Sequence, residues 1–218
     1  MKKIILAGFG YLGKFIEQQA DFNEKKVLYK LSRNPGKHRN GFGNHVEVDF
    51  DKEKFDITEI VGESTIIYMT PPNKDRDGDP RLENFLNNIK NSNLERIVYI
   101  STSGVYGFIP DKERPNNEST FGSLDNTLPQ SVYLESKRMG ETITLVWGKK
   151  FSVPVTIVRP SICYGPGIDF DDGRSFADFI KALVMSEDII LESDGKVFRN
   201  FCYVTDVIAG IFLVLLKV

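Results

Sequence analysis

The sequence predicts an α/β fold, a doubly wound parallel sheet with a short C-terminal lobe, and three observations carry it. Short apolar runs of strand length alternate with segments whose apolar residues recur at helical spacing. The runs at Ile4-Ile5-Leu6-Ala7 and Ile97-Val98-Tyr99-Ile100 are apolar throughout, as in strands covered by helices on both faces. The first run also ends in Gly8, Gly10 and Gly13, spaced G-x-G-x-x-G, directly before a helix-like segment.

That spacing has a chemical logic. Gly8 lets the chain turn off the strand, Gly10 lets the backbone approach a pyrophosphate, and Gly13 lets the helix pack close to the strand. The first-turn N–H groups, at Tyr11 and Leu12, and the positive end of the helix dipole then face phosphate. Gly8, Gly10, Tyr11, Leu12 and Gly13 are therefore candidate dinucleotide-binding residues, and the sheet is expected to be of Rossmann type.

At 218 residues the chain can bury one sizeable core with a small second lobe. A net charge of -2 without a basic tract argues against nucleic acid as a partner. The two cysteines, Cys163 and Cys202, have neither metal spacing nor the density of a disulfide framework, and suit packed thiols in a reducing cytoplasm. Met1-Lys2-Lys3 runs straight into a strand, so no signal peptide is expected, and the apolar run at 207–216 is too short to span a bilayer.

In chain order, residues 11–20 read as a helix with Leu12, Phe15 and Ile16 on one face, and 27–31 as the next strand. In an NAD site an acidic residue about 20 positions past the glycines holds the ribose 2′-hydroxyl. Here the stretch is Leu31-Ser32-Arg33-Asn34, without a carboxylate, and a hydroxyl with a guanidinium suits a 2′-phosphate. Ser32 and Arg33 thus favour NADP over NAD, the bland alternative being a solvated loop arginine. His38 and His45 lie in a loop and form no ligand pair, and no metal site is expected. Strands are expected at 46–50, ending in Asp49-Phe50, and at 65–68, before Pro71 and Pro72. A helix over 81–91 carries Leu82, Phe85, Leu86 and Ile89 at core spacing.

The strand at 96–100 ends in Ser101-Thr102-Ser103-Gly104-Val105-Tyr106-Gly107. Ligands of such sheets bind beyond the carboxyl ends of the strands, so hydroxyls crowded there are candidates. After a polar loop at 108–130, a helix from Ser131 carries Tyr133 and Lys137 four apart on one face. A tyrosine is a poor base near neutrality, but a nearby ammonium favours the phenolate. Further on, 175–185 reads as a helix with one apolar face, and Asp194-Gly195 as the turn of a hairpin between 189–191 and 196–198.

Together these residues resemble the extended short-chain dehydrogenase/reductase superfamily, the NAD-dependent epimerase/dehydratase group. The matches run in order: Gly8-x-Gly10-x-x-Gly13, the hydroxyl loop ending Val105-Tyr106-Gly107, Tyr133-x-x-x-Lys137, Val158-Arg159-Pro160 with Tyr164-Gly165-Pro166-Gly167, and Arg199-Asn200-Phe201-Cys202-Tyr203-Val204-x-Asp206. The resemblance implies Thr102 as the residue bonding the substrate oxygen, Tyr133 as acid/base, and Lys137 as the group that holds the nicotinamide ribose while lowering the tyrosine's pKa. It implies Asp49 near adenine, Pro160 and Ser161 beside the nicotinamide, Ser103 and Tyr106 at the substrate, and Arg199 on the phosphates of a nucleotide sugar. Family dehydratases commonly carry Asp-Glu after the threonine. Ser103-Gly104 stands there instead, which argues against a 4,6-dehydratase.

The expected organisation is a dinucleotide-binding domain over 1–165, a partial, truncated substrate lobe over 166–200, and a helix over 201–218 returning to the first domain. The expected function is hydride transfer at a carbonyl or secondary alcohol carbon of a small molecule, plausibly a nucleotide sugar, with NADP or NAD. No membrane partner is expected. The family suggests a homodimer through the helices at 81–91 and 131–147, with Trp147 there or in the core. The rival reading is a non-catalytic dinucleotide-binding sensor or scaffold, to which the trio Thr102, Tyr133 and Lys137 would be superfluous.

Overall fold

The computed structural model describes residues 2–19, 26–34, 41–72, 80–90, 92–110, 115–129, 131–171, 173–191, 194–196 and 198–216. The strands β1 (Lys2–Ala7), β2 (Lys26–Ser32), β3 (Asn44–Glu47), β4 (Ser64–Tyr68), β5 (Arg96–Ile100) and β6 (Val155–Val158) form one sheet in the order β3-β2-β1-β4-β5-β6. All five pairings are parallel, with Ile4 set between Leu28 and Thr65. The chain runs from the centre to one edge, then returns across β1 to build the other half. The order therefore reverses between β1 and β4, and the crevice at their carboxyl ends is where such sheets bind ligands.

Both faces are covered, as the uninterrupted apolar runs require. On one face Ile5, Ile66, Ile97 and Tyr99 pack with Leu82, Phe85, Leu86 and Ile89 of α3 (Pro80–Ile89) and with Trp147 of α4 (Ser131–Phe151). On the other, Leu6, Ile67, Val98 and Ile100 pack with Ile16 of α1 (Tyr11–Gln19) and with Val204, Val207, Ile208 and Ile211 of α6 (Val204–Leu216). Trp147 is in the core, its indole N–H donating to the Leu86 carbonyl at 3.1 Å. One short helix, α2 (Thr58–Val61), precedes β4. Among the described residues no helix is long and apolar enough to cross a membrane.

Three expectations need correction. The third strand stops at Glu47, so Val48, Asp49 and Phe50 lie past the sheet's edge. This frees Asp49 and Asp51 to line the crevice instead of continuing the ladder. The hairpin about Asp194-Gly195 is not formed: among the described residues 189–191 and 194–198 carry no strand. Asp194 does cap its own turn, its Oδ1 accepting from the Lys196 N–H at 3.1 Å. The apolar flank, however, finds no sheet to bury it, and Ile190 remains 81% exposed. The helix expected over 81–91 ends at Ile89. Beyond β6, β7 (Ile162–Tyr164) pairs in parallel with β8 (Phe201–Tyr203), and α5 (Ser175–Met185) lies between them in sequence.

Candidate active site

The glycine turn has the backbone its spacing demands. Gly8 has φ +101°, a conformation that favours glycine, and a Cβ there would lie 2.6 Å from Thr70 Oγ1. Thr70 itself donates to the Ala7 carbonyl at 3.0 Å, which fastens the end of β4 to the turn. At Gly13 a Cβ would meet the Phe9 ring at 2.9 Å, so helix α1 sits tight against the turn. Gly10 is different: a Cβ there would meet nothing within 4 Å, leaving an open approach to the backbone. With the first-turn N–H groups of α1 lacking acceptors within the helix, this cradle fits a dinucleotide pyrophosphate.

Two cavities flank the turn. The smaller, about 210 Å³, is lined by Gly8, Gly10, Ser32, Arg33, Asp49 and Arg81, among others. The larger, about 1200 Å³, holds Leu12, Thr102, Ser103, Tyr106, Tyr133, Lys137, Pro160 and Arg199 in its wall. Met69 and Pro71 line both, so the two adjoin along the carboxyl edge of the sheet. Of the predicted site residues only Tyr11 and Gly13 line neither. The Tyr11 hydroxyl is buried without a hydrogen-bond partner, and a Cβ on Gly165 would stand 3.0 Å from it. Any part of Tyr11 in cofactor binding belongs to its backbone.

At the small cavity a carboxylate enters that the sequence stretch after β2 lacks. Asp51 takes a bidentate pair from Arg81, at 2.6 and 2.9 Å, and a third bond from Arg33 at 3.2 Å. The Arg81 bonds, with its charge and that of Arg33, hold the Asp51 carboxyl below its usual pKa. With Asp49 also in the lining, the two guanidiniums face two carboxylates, and the charges at this end balance. Ser32 shares a 2.7 Å hydrogen bond with His45 Nε2. Asp49 turns its Oδ1 inward to accept from the Asp51 N–H at 3.1 Å. His38 lies outside the described residues.

At the large cavity, the loop after β5 is sewn to the loop after β6 by backbone bonds, Ser101 N–H to the Val158 carbonyl and Ser103 N–H to the Pro160 carbonyl. Thr102 caps the short 3₁₀ turn at Ser103–Tyr106, its Oγ1 accepting from Gly104 N–H at 3.3 Å. Two arginines with no role in the sequence reading brace this loop. Arg138 of α4 donates to the carbonyls of Val105 and Gly122 at 2.7 and 2.8 Å. Arg159 forms a bidentate pair with Glu141 at 2.9 and 2.7 Å and lies over the Tyr106 ring at 4.9 Å. That pairing raises the Arg159 pKa further, so it is a fixed cation.

Lys137 is 3% exposed, and its ammonium donates to the Ile100 carbonyl at 3.0 Å above the face of Tyr99 at 4.9 Å. Tyr133 shares the cavity, and its pKa is raised. The side chain keeps 38% exposure, yet burial disfavours the phenolate more than the opposing charge of Arg174 favours it. Arg174 precedes α5 and stacks on Phe176 at 4.7 Å. No local pattern marks it: it is one charge in a polar turn. Arg199 Nη1 donates to the Phe198 carbonyl at 3.1 Å. Among the described lining residues the cavity holds three cations, Lys137, Arg174 and Arg199, and no carboxylate. Among the described residues no cluster could hold a metal ion.

Sheet order, glycine turn and a Tyr-x-x-x-Lys helix at the carboxyl edge define a protein of the extended short-chain dehydrogenase/reductase type. Residues 82–218 match the model of the NAD dependent epimerase/dehydratase family, and the chain belongs to that family. Among curated proteins it is similar to UDP-glucuronic acid decarboxylase 6 of Arabidopsis thaliana, 34% identical over 116 residues, or 53% of this chain and 33% of the relative. UDP-glucuronic acid decarboxylase 1 of Xenopus tropicalis is 32% identical over 117 residues, 53% of this chain and 27% of that one. The matched stretch thus spans about a third of the length of these relatives. Among solved structures, the UDP-glucuronic acid 4-epimerase of Bacillus cereus in complex with UDP-glucuronic acid and NAD superposes with a TM-score of 0.77 at 20% identity, over 100% of this chain and 74% of that one. The UDP-glucose 4-epimerase of Thermotoga maritima with UDP-glucose gives 0.80 at 16% identity, covering 100% and 74%. The family match starts at residue 82, whereas these superpositions include the glycine turn, so the fold likeness extends over the N-terminal half.

Proposed function

We propose that this chain carries out NAD(P)-dependent epimerisation or oxidoreduction at a carbonyl or secondary alcohol carbon of a nucleotide sugar. The observation that carries the reading is that Thr102, Tyr133 and Lys137 line one cavity, which adjoins the cavity of the glycine turn at Met69 and Pro71. Gly8, Gly10 and the first turn of α1 would hold the dinucleotide, and Pro160 would lie along it. When bound, the nicotinamide takes up or returns a hydride. Tyr133 holds a proton at its phenol oxygen and passes it to the substrate oxygen, or accepts it in the reverse direction. Thr102 Oγ1 hydrogen-bonds the same oxygen, and Lys137 supplies positive charge beneath the site. Ser103, Tyr106 and Arg199 would orient the substrate, Arg199 by its charge on phosphate.

Ser103-Gly104, in place of the Asp-Glu pair common in family dehydratases, supports epimerase or reductase chemistry over dehydration. Ser32 and the Arg33 guanidinium support NADP, whose 2′-phosphate such donors suit, whereas the Bacillus cereus neighbour is a complex with NAD. A homodimer through α3 and α4 is supported by the exposed Met139 and Val146 and by a groove lined by Leu82, Met139 and Ile143. We place the chain in the cytoplasm, divided as 1–165, 166–200 and 201–218.

The test is a panel of UDP-sugars incubated with NAD or NADP, read by product chromatography and reduced-nicotinamide absorbance. Conversion of one UDP-sugar, dependent on added or co-purified dinucleotide, is expected. Dinucleotide binding without turnover on any sugar would overturn the reading in favour of a sensor.

A further inference from the structure

We infer that Cys163 and Cys202 are a dithiol pair that closes reversibly into a disulfide, a modification site on the wall of the large cavity. The two residues face each other across β7 and β8, Cys163 opposite Cys202 between the pairs Ile162–Phe201 and Tyr164–Tyr203. Neighbouring strands lie about 4.8 Å apart. That is inside the Cα separation of about 4.4–6.8 Å that a disulfide spans.

The side chains share a face, as opposed residues of one ladder must. Both thiols pack with Tyr11 against the apolar cluster beneath α1 and α6, while Tyr164, Phe201 and Tyr203 meet ring to ring on the opposite face. Neither thiol is fully buried, so a small oxidant reaches the pair. Burial pushes the Cys163 thiol up to about 11, and the adjacent Cys202 adds to the shift, which is the electrostatic signature of two sulfurs sharing one site.

The pair sits at the base of a segment with a distinct character. Between the two cysteines lie Arg174, α5 and Arg199, and Cys163 itself lines the cavity beside Ser161 and Ile162. This stretch carries the most exposed apolar side chains of the region, Leu183, Ile190 and Phe198. A bond from 163 to 202 closes it into a loop and restricts its opening, since a cross-link removes conformations from the open chain.

The chemistry balances with a two-electron oxidant such as diamide. A thiolate adds to the nitrogen–nitrogen double bond, the second thiol displaces it from sulfur, and the products are the disulfide and a hydrazine, which carries off two electrons and two protons. A dithiol reductant reverses the step. Because the attacking species is a thiolate, closure quickens as pH rises.

The inference is independent of the proposed reaction and is tested on the full chain. The protein is treated with diamide, quenched with a maleimide and weighed intact. The expected result is a monomer lighter by about 2 Da with no maleimide adduct, returning to two adducts after dithiothreitol. The oxidised form should melt several degrees higher and resist proteolysis within 165–200, and both gains should be missing in Cys202→Ser. Persistence of two maleimide adducts after diamide, or disulfides formed only between chains, would overturn it. Because the wild-type mass alone decides, a variant that fails to fold does not affect the outcome.

Discussion

The two walls of the large cavity are built differently. The wall of Thr102, Ser103, Lys137 and Pro160 stands on helix α4 and on strand ends whose neighbours Ile97, Val98 and Tyr99 are almost wholly buried. The wall of Arg174, Phe198 and Arg199 stands on a segment without a core of its own, where Phe198 is 87% exposed. Residues meant to move a proton sit on rigid elements, and those that would grip a substrate sit where opening is cheap. The difference separates the expected effects of mutation. Changes on the first wall should reach folding or turnover, and changes on the second should reach substrate affinity.

The largest effect is expected at the turn that joins the two cavities. Gly8→Ala combines a positive φ with a clash against Thr70, and should cost about 3 kcal/mol in denaturant melts and abolish dinucleotide binding. A variant of wild-type stability would show that the turn yields, and the contrast of rigid and loose walls would be weakened. Next comes Arg159→Gln, which leaves the 10%-exposed Glu141 carboxylate without its bidentate partner. The expected loss is about 2 kcal/mol, smaller in Arg159→Leu with Glu141→Leu, read by thermal melting. Turnover should fall with it, because Tyr106 loses the cation over its ring.

On the second wall, Arg174→Gln should leave stability within about 0.5 kcal/mol and raise KM several-fold. It also sharpens the electrostatics. The guanidinium favours the Tyr133 phenolate, so its removal moves the alkaline limb of the activity profile to higher pH, whereas a downward shift would contradict the assignment. The smallest effect belongs to Arg33→Ala: about a tenfold loss of NADPH affinity with NADH unchanged, measured by fluorescence titration. Equal loss for both cofactors would make Arg33 a general anion contact.

Local pattern made much of this legible. Strand and helix alternation, the glycine spacing and Tyr133-x-x-x-Lys137 depend on neighbours a few residues apart; the structure forms the alternation and the glycine turn, and both Tyr133 and Lys137 line one cavity. What escaped depends on distance. Asp51 meets Arg81 thirty positions away and only because β3 stops at Glu47, a boundary that alternation of Val46, Val48 and Phe50 obscures. Arg174 reaches the site of Tyr133 through the placement of a whole lobe. Asp194-Gly195 shows the converse: the turn chemistry is there, but a hairpin needs a sheet to bury its apolar side, and none is at hand. The phenol's raised pKa likewise depends on burial, a property of surroundings far apart in the chain.

The central claim is that the proton at Tyr133 is the one exchanged with substrate. Its most direct test compares wild type with Tyr133→Phe in dinucleotide titrations and single-turnover hydride transfer on the UDP-sugar that the panel identifies. The account predicts unchanged dinucleotide affinity with transfer slowed at least about a hundredfold. Near-wild-type transfer in the phenylalanine variant would contradict it.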